Sequence, residues 1–260
     1  MHKGLITKRL LFPALLAMTV SGLERPGWSG DIREAGRDLL AKYGKAIVTI
    51  RVTSKQTMSM GGDSHAREKQ SEIKGTVISA AGLTVAALSS LDPSSKLRSM
   101  MGGKLGGDMN FESQVQDLKL VVDKTTEVPA EVILRDPDLD LVLLKPKEKQ
   151  AEAMSFIDFG NSVVPKLLEQ CVLLARLDAI GDYELGLMTG EIQAIVEKPR
   201  TFYIQSGELH SGGTGLPVFN GEGKVVGLVQ TKSSGPLASL GIVRPAVDVV
   251  EFLKQYSEED

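Results

Sequence analysis

The chain has 260 residues, 42% of them hydrophobic, which is enough to bury a sizeable core as one large β domain or two small ones and excludes a disordered chain. Its formal charge of -3 gives no broad basic surface, so generic nucleic-acid binding is excluded as a function class. A single cysteine, Cys171, flanked by Val172, Leu173 and Leu174, excludes an intrachain disulfide and reads as a small buried hydrophobe.

Residues 1–30 have their own logic. His2, Lys3, Lys8 and Arg9 precede an apolar run from Leu10 to Leu23 that ends among small residues, the pattern of a secretory signal. A spanning helix needs roughly 20 apolar residues, so the run is short for one, and membrane attachment is expected only if this segment stays uncleaved. Ser21, Gly22 and Gly30 are all small enough to precede a cleavage point. Export without an internal disulfide fits a bacterial periplasm or cell envelope.

Asp31 and Glu34 then form a capping-box pair at the start of a predicted helix, with Ile32, Leu39, Leu40 and Tyr43 on one face and Gly44 at its stop. From Ala46 the period changes to that of strands. Candidate strands are Ala46–Val52, Gly75–Ser79, Leu83–Ala87, Leu118–Val122, Ala130–Leu134 and Leu139–Leu144 in the first half. The second half offers Val172–Arg176, Leu185–Ala194, Thr201–Ile204, Leu216–Phe219, Lys224–Gln230 and Leu240–Val243. Short spacing by Gly, Pro, Asn and Asp turns predicts an all-β sandwich or barrels. Pro245 opens a final helix carrying Val249, Leu253 and Tyr256 on one face.

Two polar stretches, 54–69 and 94–116, read as surface loops inserted between strands. Gly102 to Gly107 lacks the Gly-Lys-Ser/Thr ending of a phosphate loop. Asp136-Pro137-Asp138-Leu139-Asp140 starts like a calcium loop, but no glycine stands sixth and Lys147 holds the place of the bidentate acid. No metal and no cofactor is expected.

The densest chemistry lies in Ser206 to Val218, a glycine-rich loop with hydroxyl residues that leads into a Pro-Val strand. Backbone amides in such a loop converge on a developing oxyanion. Gly212-Gly213-Thr214-Gly215-Leu216-Pro217-Val218 resembles the nucleophile signature of trypsin-fold serine proteases, with Thr214 in the place of the serine. Lys74 to Leu91 is similar to the segment of HtrA/Do-like proteases that ends in the catalytic histidine, which falls on Ser89. Arg135 to Lys145 resembles the strand that carries the catalytic aspartate, which falls on Asp140. Ile157 to Ser162 and Gly241 to Pro245 resemble two framework segments of the same family.

The resemblance implies two packed antiparallel β-barrels of the chymotrypsin/trypsin type with a short N-terminal helix and a C-terminal helix. It implies an N-terminal helix and first barrel over 31–150 and a second barrel and helix over 151–260; the binding domain that usually follows in this family is expected to be missing. It also implies a degenerate triad, Ser89, Asp140 and Thr214. A serine hydroxyl is no base near neutral pH, whereas imidazole is. The oxyanion cradle of Gly212, Gly213 and Thr214 is expected to persist, with His210, Ser211 and Leu216 along the cleft. The expected function is an exported protease homologue without peptidase activity that binds a peptide or envelope-protein segment by strand addition. The alternatives are an endopeptidase using Thr214 or Ser211 with a nonstandard base such as His210, Lys104 or Lys198, and a purely structural scaffold.

Overall fold

The computed structural model describes residues 31–60, 63–94, 109–206, 213–233 and 239–256. Helix α1 spans Ile32–Tyr43. Its entry follows the sequence: the Asp31 carboxylate accepts the Arg33 N–H at 3.0 Å, meeting one amide that the first turn leaves unpaired. Gly44 ends it, but in right-handed conformation (φ -55°), continuing into one 3-10 turn. A Cβ there would stand 2.4 Å from Leu185 Cδ1, so a larger residue would have to turn that side-chain end aside.

Six strands close a first barrel: β1 (Ile47–Met60), β2 (Asp63–Val77), β3 (Thr84–Ala87), β4 (Met109–Val121), β5 (Glu127–Asp136) and β6 (Leu141–Pro146), in the order β1-β2-β3-β6-β5-β4. A four-residue helix, α2 (Leu88–Leu91), follows β3. Six more close a second: β7 (Gln170–Arg176), β8 (Leu185–Val196), β9 (Phe202–Gln205), β10 (Pro217–Asn220), β11 (Val225–Ser233) and β12 (Ser239–Pro245), in the order β10-β11-β12-β9-β8-β7. Every described pair of neighbouring strands is antiparallel. The fold is thus the all-β double barrel that the strand spacing and the resemblance predict.

Strands such as β3, β6 and β7 are buried almost along their whole length. One face fills a barrel and the other is covered, so they read as apolar runs instead of alternating ones. The stretches 54–69 and 94–116 depart from expectation. Thr53 to Met60 and Asp63 to Gln70 pair continuously, with Lys55 opposite Glu68 and Met60 opposite Asp63, and β4 joins the other edge of β1 from Met109 onward. They build a three-stranded ribbon that extends the first barrel. Residues 63–70 of β2 are all exposed, so both faces are polar and no hydrophobic alternation marks the strand. Residues 95–108 of the second stretch lie outside the described residues.

Side-chain donors placed on backbone carbonyls join the two barrels and α1. Arg176 of β7, only 6% exposed, gives its Nε to the Ile47 carbonyl at 2.6 Å and an Nη to that of Gly44 at 3.3 Å. Helix α1 packs on β7 and β8 of the second barrel, with Tyr43 stacked on Phe219 at 5.6 Å between ring centroids. The last helix, α3 (Ala246–Leu253), buries Val249 and Phe252 against β11 and β12. No described helix is long and apolar enough to cross a membrane.

Candidate active site

Strand β3 hands its last residue, Ala87, directly to α2, which places Ser89 in that helix's first turn. The turn between β5 and β6 brings Asp140 beside it. Asp136 organises that turn by accepting the Leu139 N–H at 2.9 Å, so its carboxylate serves the backbone locally. Asp140 follows in left-handed conformation, φ 54°, which an aspartate tolerates better than a bulky residue does. Its Oδ1 accepts the Ser89 N–H at 2.6 Å and its Oδ2 accepts the Ser89 O–H at 2.8 Å. The Asp140 carbonyl accepts the Leu88 N–H at 3.2 Å. One residue thus serves the first two N–H groups of α2, a cap supplied from a distant strand.

Thr214 sits in the turn before β10 and is 5% exposed. Its Oγ1 lies 3.1 Å from Thr231 Oγ1 on β11. The turn is fastened on both sides: the Gly215 N–H donates to Val229 O at 2.8 Å, and Thr76 Oγ1 of β2 donates to Gly215 O at 2.9 Å. Gly215 has φ 94°, and a Cβ there would stand 2.2 Å from the Lys74 carbonyl oxygen. Glycine is therefore required at this point by conformation and by the close approach of the first barrel.

Gln230, next to Thr231 on β11, donates its side-chain amide to Leu139 O at 2.8 Å and to Asp140 O at 2.9 Å. The Asp140 turn and the Thr214 turn are therefore held by adjacent residues of one strand. Among the described residues no imidazole or amine nitrogen bonds the hydroxyl of Ser89 or of Thr214. Of the expected cradle, Gly213 and Thr214 are described; Gly212, Ser211 and His210 lie outside the described residues, as does Lys104. Leu216, immediately before β10, is 1% exposed and packs in the core. Among the described residues no group of three or more His, Cys, Asp or Glu is placed to hold a metal ion.

Sequence reading did not single out Gln230, Thr231 or Thr76 as site residues. Their signal is slight: polar side chains in apolar strand runs, such as Val225-Val226-Gly227-Leu228-Val229-Gln230-Thr231.

Comparison with known proteins agrees with this geometry. Residues 74–228 match the trypsin-like peptidase domain family. A probable periplasmic serine endoprotease, DegP-like, from Bartonella henselae is 27% identical over 144 residues, 54% of this chain and 28% of that protein. The chain thus aligns with little more than a quarter of that relative's length. The protease domain of MamO from Magnetospirillum magneticum superposes with a TM-score of 0.54 at 18% identity, over 81% of this chain and 96% of the other. Deg5 gives 0.55 at 17% identity, over 86% and 94%. The HtrA-type protease AlgW with a tripeptide gives 0.57 at 15% identity, over 88% and 64%. The chain belongs to the trypsin-like peptidase domain family, as a homologue of the HtrA type.

Proposed function

We propose that this protein is an exported trypsin-fold protease homologue that has lost peptide hydrolysis and retains a peptide-binding cleft. The observation that carries the reading is the pairing of hydroxyls and carboxylate. Thr214 Oγ1 meets another hydroxyl, that of Thr231, and the Asp140 carboxylate closes on the Ser89 N–H and O–H. Acyl transfer needs a base that takes the nucleophile's proton near neutral pH and later returns it to the leaving amine. Neither threonine nor serine side chains do this, so Thr214 and Ser89 are degenerate members of the triad and Asp140 has no imidazole at position 89 to orient. Strand addition of an extended peptide needs exposed backbone edges and side-chain pockets and no triad. Export is supported by the basic-then-apolar residues 1–30 and by the description of the Bartonella relative as periplasmic.

The test uses the chain freed of its signal, incubated with unfolded casein and, separately, with a fluorophosphonate probe. Saturable binding of casein with no new fragments and no labelling above a Thr214→Ala control is expected. Casein cleavage that Thr214→Ala abolishes would establish an active endopeptidase and overturn the reading.

A further inference from the structure

We infer that Asp248, Arg244 and Gln230 form a positioning relay through the second barrel, by which the C-terminal helix α3 sets the geometry of the Ser89–Asp140 pair in the first. The chain of contacts is continuous. Asp248, in the first turn of α3, pairs with Arg244 Nη1 at 3.3 Å, and the two side chains are 14% and 9% exposed. Arg244 Nε donates to Gln230 Oε1 at 3.0 Å. Gln230, 1% exposed, spends its Nε2 on the carbonyls of Leu139 and Asp140. The orientation of that amide follows from chemistry. Arginine only donates and carbonyls only accept, so oxygen must face Arg244 and nitrogen must face the turn.

Two features make this more than filling of polar groups. Arg244 stands opposite Leu228 and Gln230 opposite Ile242, so the pair are diagonal neighbours on one face of the β11–β12 ladder, where two apolar residues would also pack. Burying Arg and Gln there is costly unless their polar atoms are matched; Arg244 is matched by Gln230 and Asp248, and the Gln230 amide nitrogen is matched by carbonyls of the other barrel. Second, the peptide that Gln230 grips belongs to the residue whose backbone is left-handed and whose carboxylate caps α2. The Asp140 carbonyl receives Gln230 and Leu88 together, so turning that carbonyl redirects both the carboxylate and the first turn of α2. Displacing α3, or removing the Asp248 charge, loosens Arg244, then Gln230, then Asp140. The relay concerns the Ser89–Asp140 geometry and stands whether or not the cleft binds peptide.

The test is Gln230→Glu in the full chain. It keeps an acceptor for Arg244 and sets a carboxylate oxygen against two carbonyls, so only the grip on the turn is cut. The readout is hydrogen exchange of the Leu88 and Ser89 amides. Both should exchange about tenfold faster or more, since the two hydrogen bonds from Gln230 to the turn are lost and one of ordinary net strength is worth up to about tenfold, while amides of the β10–β11 ladder keep their protection. Asp248→Asn, which weakens the relay at its outer end and leaves the core atoms in place, should raise the same two rates about two- to threefold. Unchanged rates at Leu88 and Ser89 in either variant would overturn the relay. So would an increase matched by the β10–β11 amides, which would mark general loosening of the second barrel.

Discussion

Exchanging Asp140 for asparagine and for alanine separates two roles of one carboxylate. In an intact triad the aspartate fixes the tautomer of an imidazole, and asparagine there lowers turnover about ten-thousandfold because it selects the wrong one. With Ser89 in that place, as proposed, there is no tautomer to select, and Asp140 accepts the Ser89 N–H at 2.6 Å and the Ser89 O–H at 2.8 Å from a left-handed backbone. Asparagine keeps one carbonyl oxygen for the N–H and tolerates the left-handed region, and its NH2 can donate to the serine hydroxyl, which rotates to accept. The loss is only the extra strength of a charged acceptor, about 1 kcal/mol. Alanine removes both bonds, each worth about 1.5–3 kcal/mol to a charged group, and adds about 1 kcal/mol for the left-handed position. A total near 4 kcal/mol follows, since the bonds share one geometry and do not add in full. For a chain of this size 1 kcal/mol moves Tm by about 2–4 °C, so Asp140→Ala should unfold about 8–16 °C lower and Asp140→Asn no more than about 4 °C lower. Thermal unfolding followed by circular dichroism at neutral pH measures both. Equal losses in the two variants would show that the charge itself matters at this position, and would refute the reading of Asp140 as a cap.

Other consequences are as direct. Gly215→Ala forces a Cβ to 2.2 Å from the Lys74 carbonyl at φ 94°, and should cost more than about 2 kcal/mol in urea unfolding. Burial holds the Lys74 ammonium below its ordinary pKa, so between that lowered value and about 10.4 the unfolded chain carries more protons and stability rises with pH; Lys74→Met should remove that rise. Burial lifts the Cys171 thiol to about 12, so above about pH 8.5 the unfolded chain sheds a proton that the native chain keeps. Stability should fall over that range in a way Cys171→Ala abolishes, and a thiol reagent should label Cys171 only on unfolding. Ser89→His with Thr214→Ser should yield weak casein hydrolysis where either change alone yields none, because triad members act as a unit. Adding Leu216→Gly should lower stability by about 3 kcal/mol or more without raising turnover, since Leu216 is core.

The double barrel was legible because its buried strands carry long β-branched and apolar runs broken by turn residues, and each strand run proposed from sequence overlaps one of β1 to β12, though several overrun its ends and Leu139–Leu144 takes in two residues, Leu139 and Asp140, that form the turn before β6. The ribbon was not, because it is held by backbone pairing between Ser54–Lys69 and Met60–Asp63 with solvent on both faces, and backbone pairing leaves no trace in hydropathy. One cue did exist: the dipeptide Gly61-Gly62 between the two polar runs is a hairpin signal. At the site, Ser89 and Asp140 could be aligned by motif, and their direct hydrogen bonds follow from positions that the fold already brings together. Gln230 could not, because its meaning depends on carbonyls 90 and 91 positions away in the other barrel.

That distance bears on how such a site would persist under the proposed loss of chemistry. A triad aspartate stripped of its histidine would be a part-buried charge facing nothing, a condition that costs several kcal/mol and invites replacement. Here the Asp140 carboxylate instead satisfies the start of α2, accepting the Ser89 N–H and O–H. Once the cap stabilises the fold, keeping Asp140 no longer depends on hydrolysis. The same argument applies to Thr214, whose hydroxyl is satisfied by Thr231 and whose turn is fastened to the first barrel through Thr76 and Gly215. On the proposed reading, Ser89, Asp140 and Thr214 serve as structural joints between elements that meet at the barrel seam. On the proposed reading, a cleft kept rigid by such joints would retain the fixed backbone that strand addition requires, so loss of the base and retention of a binding surface would be compatible in one molecule.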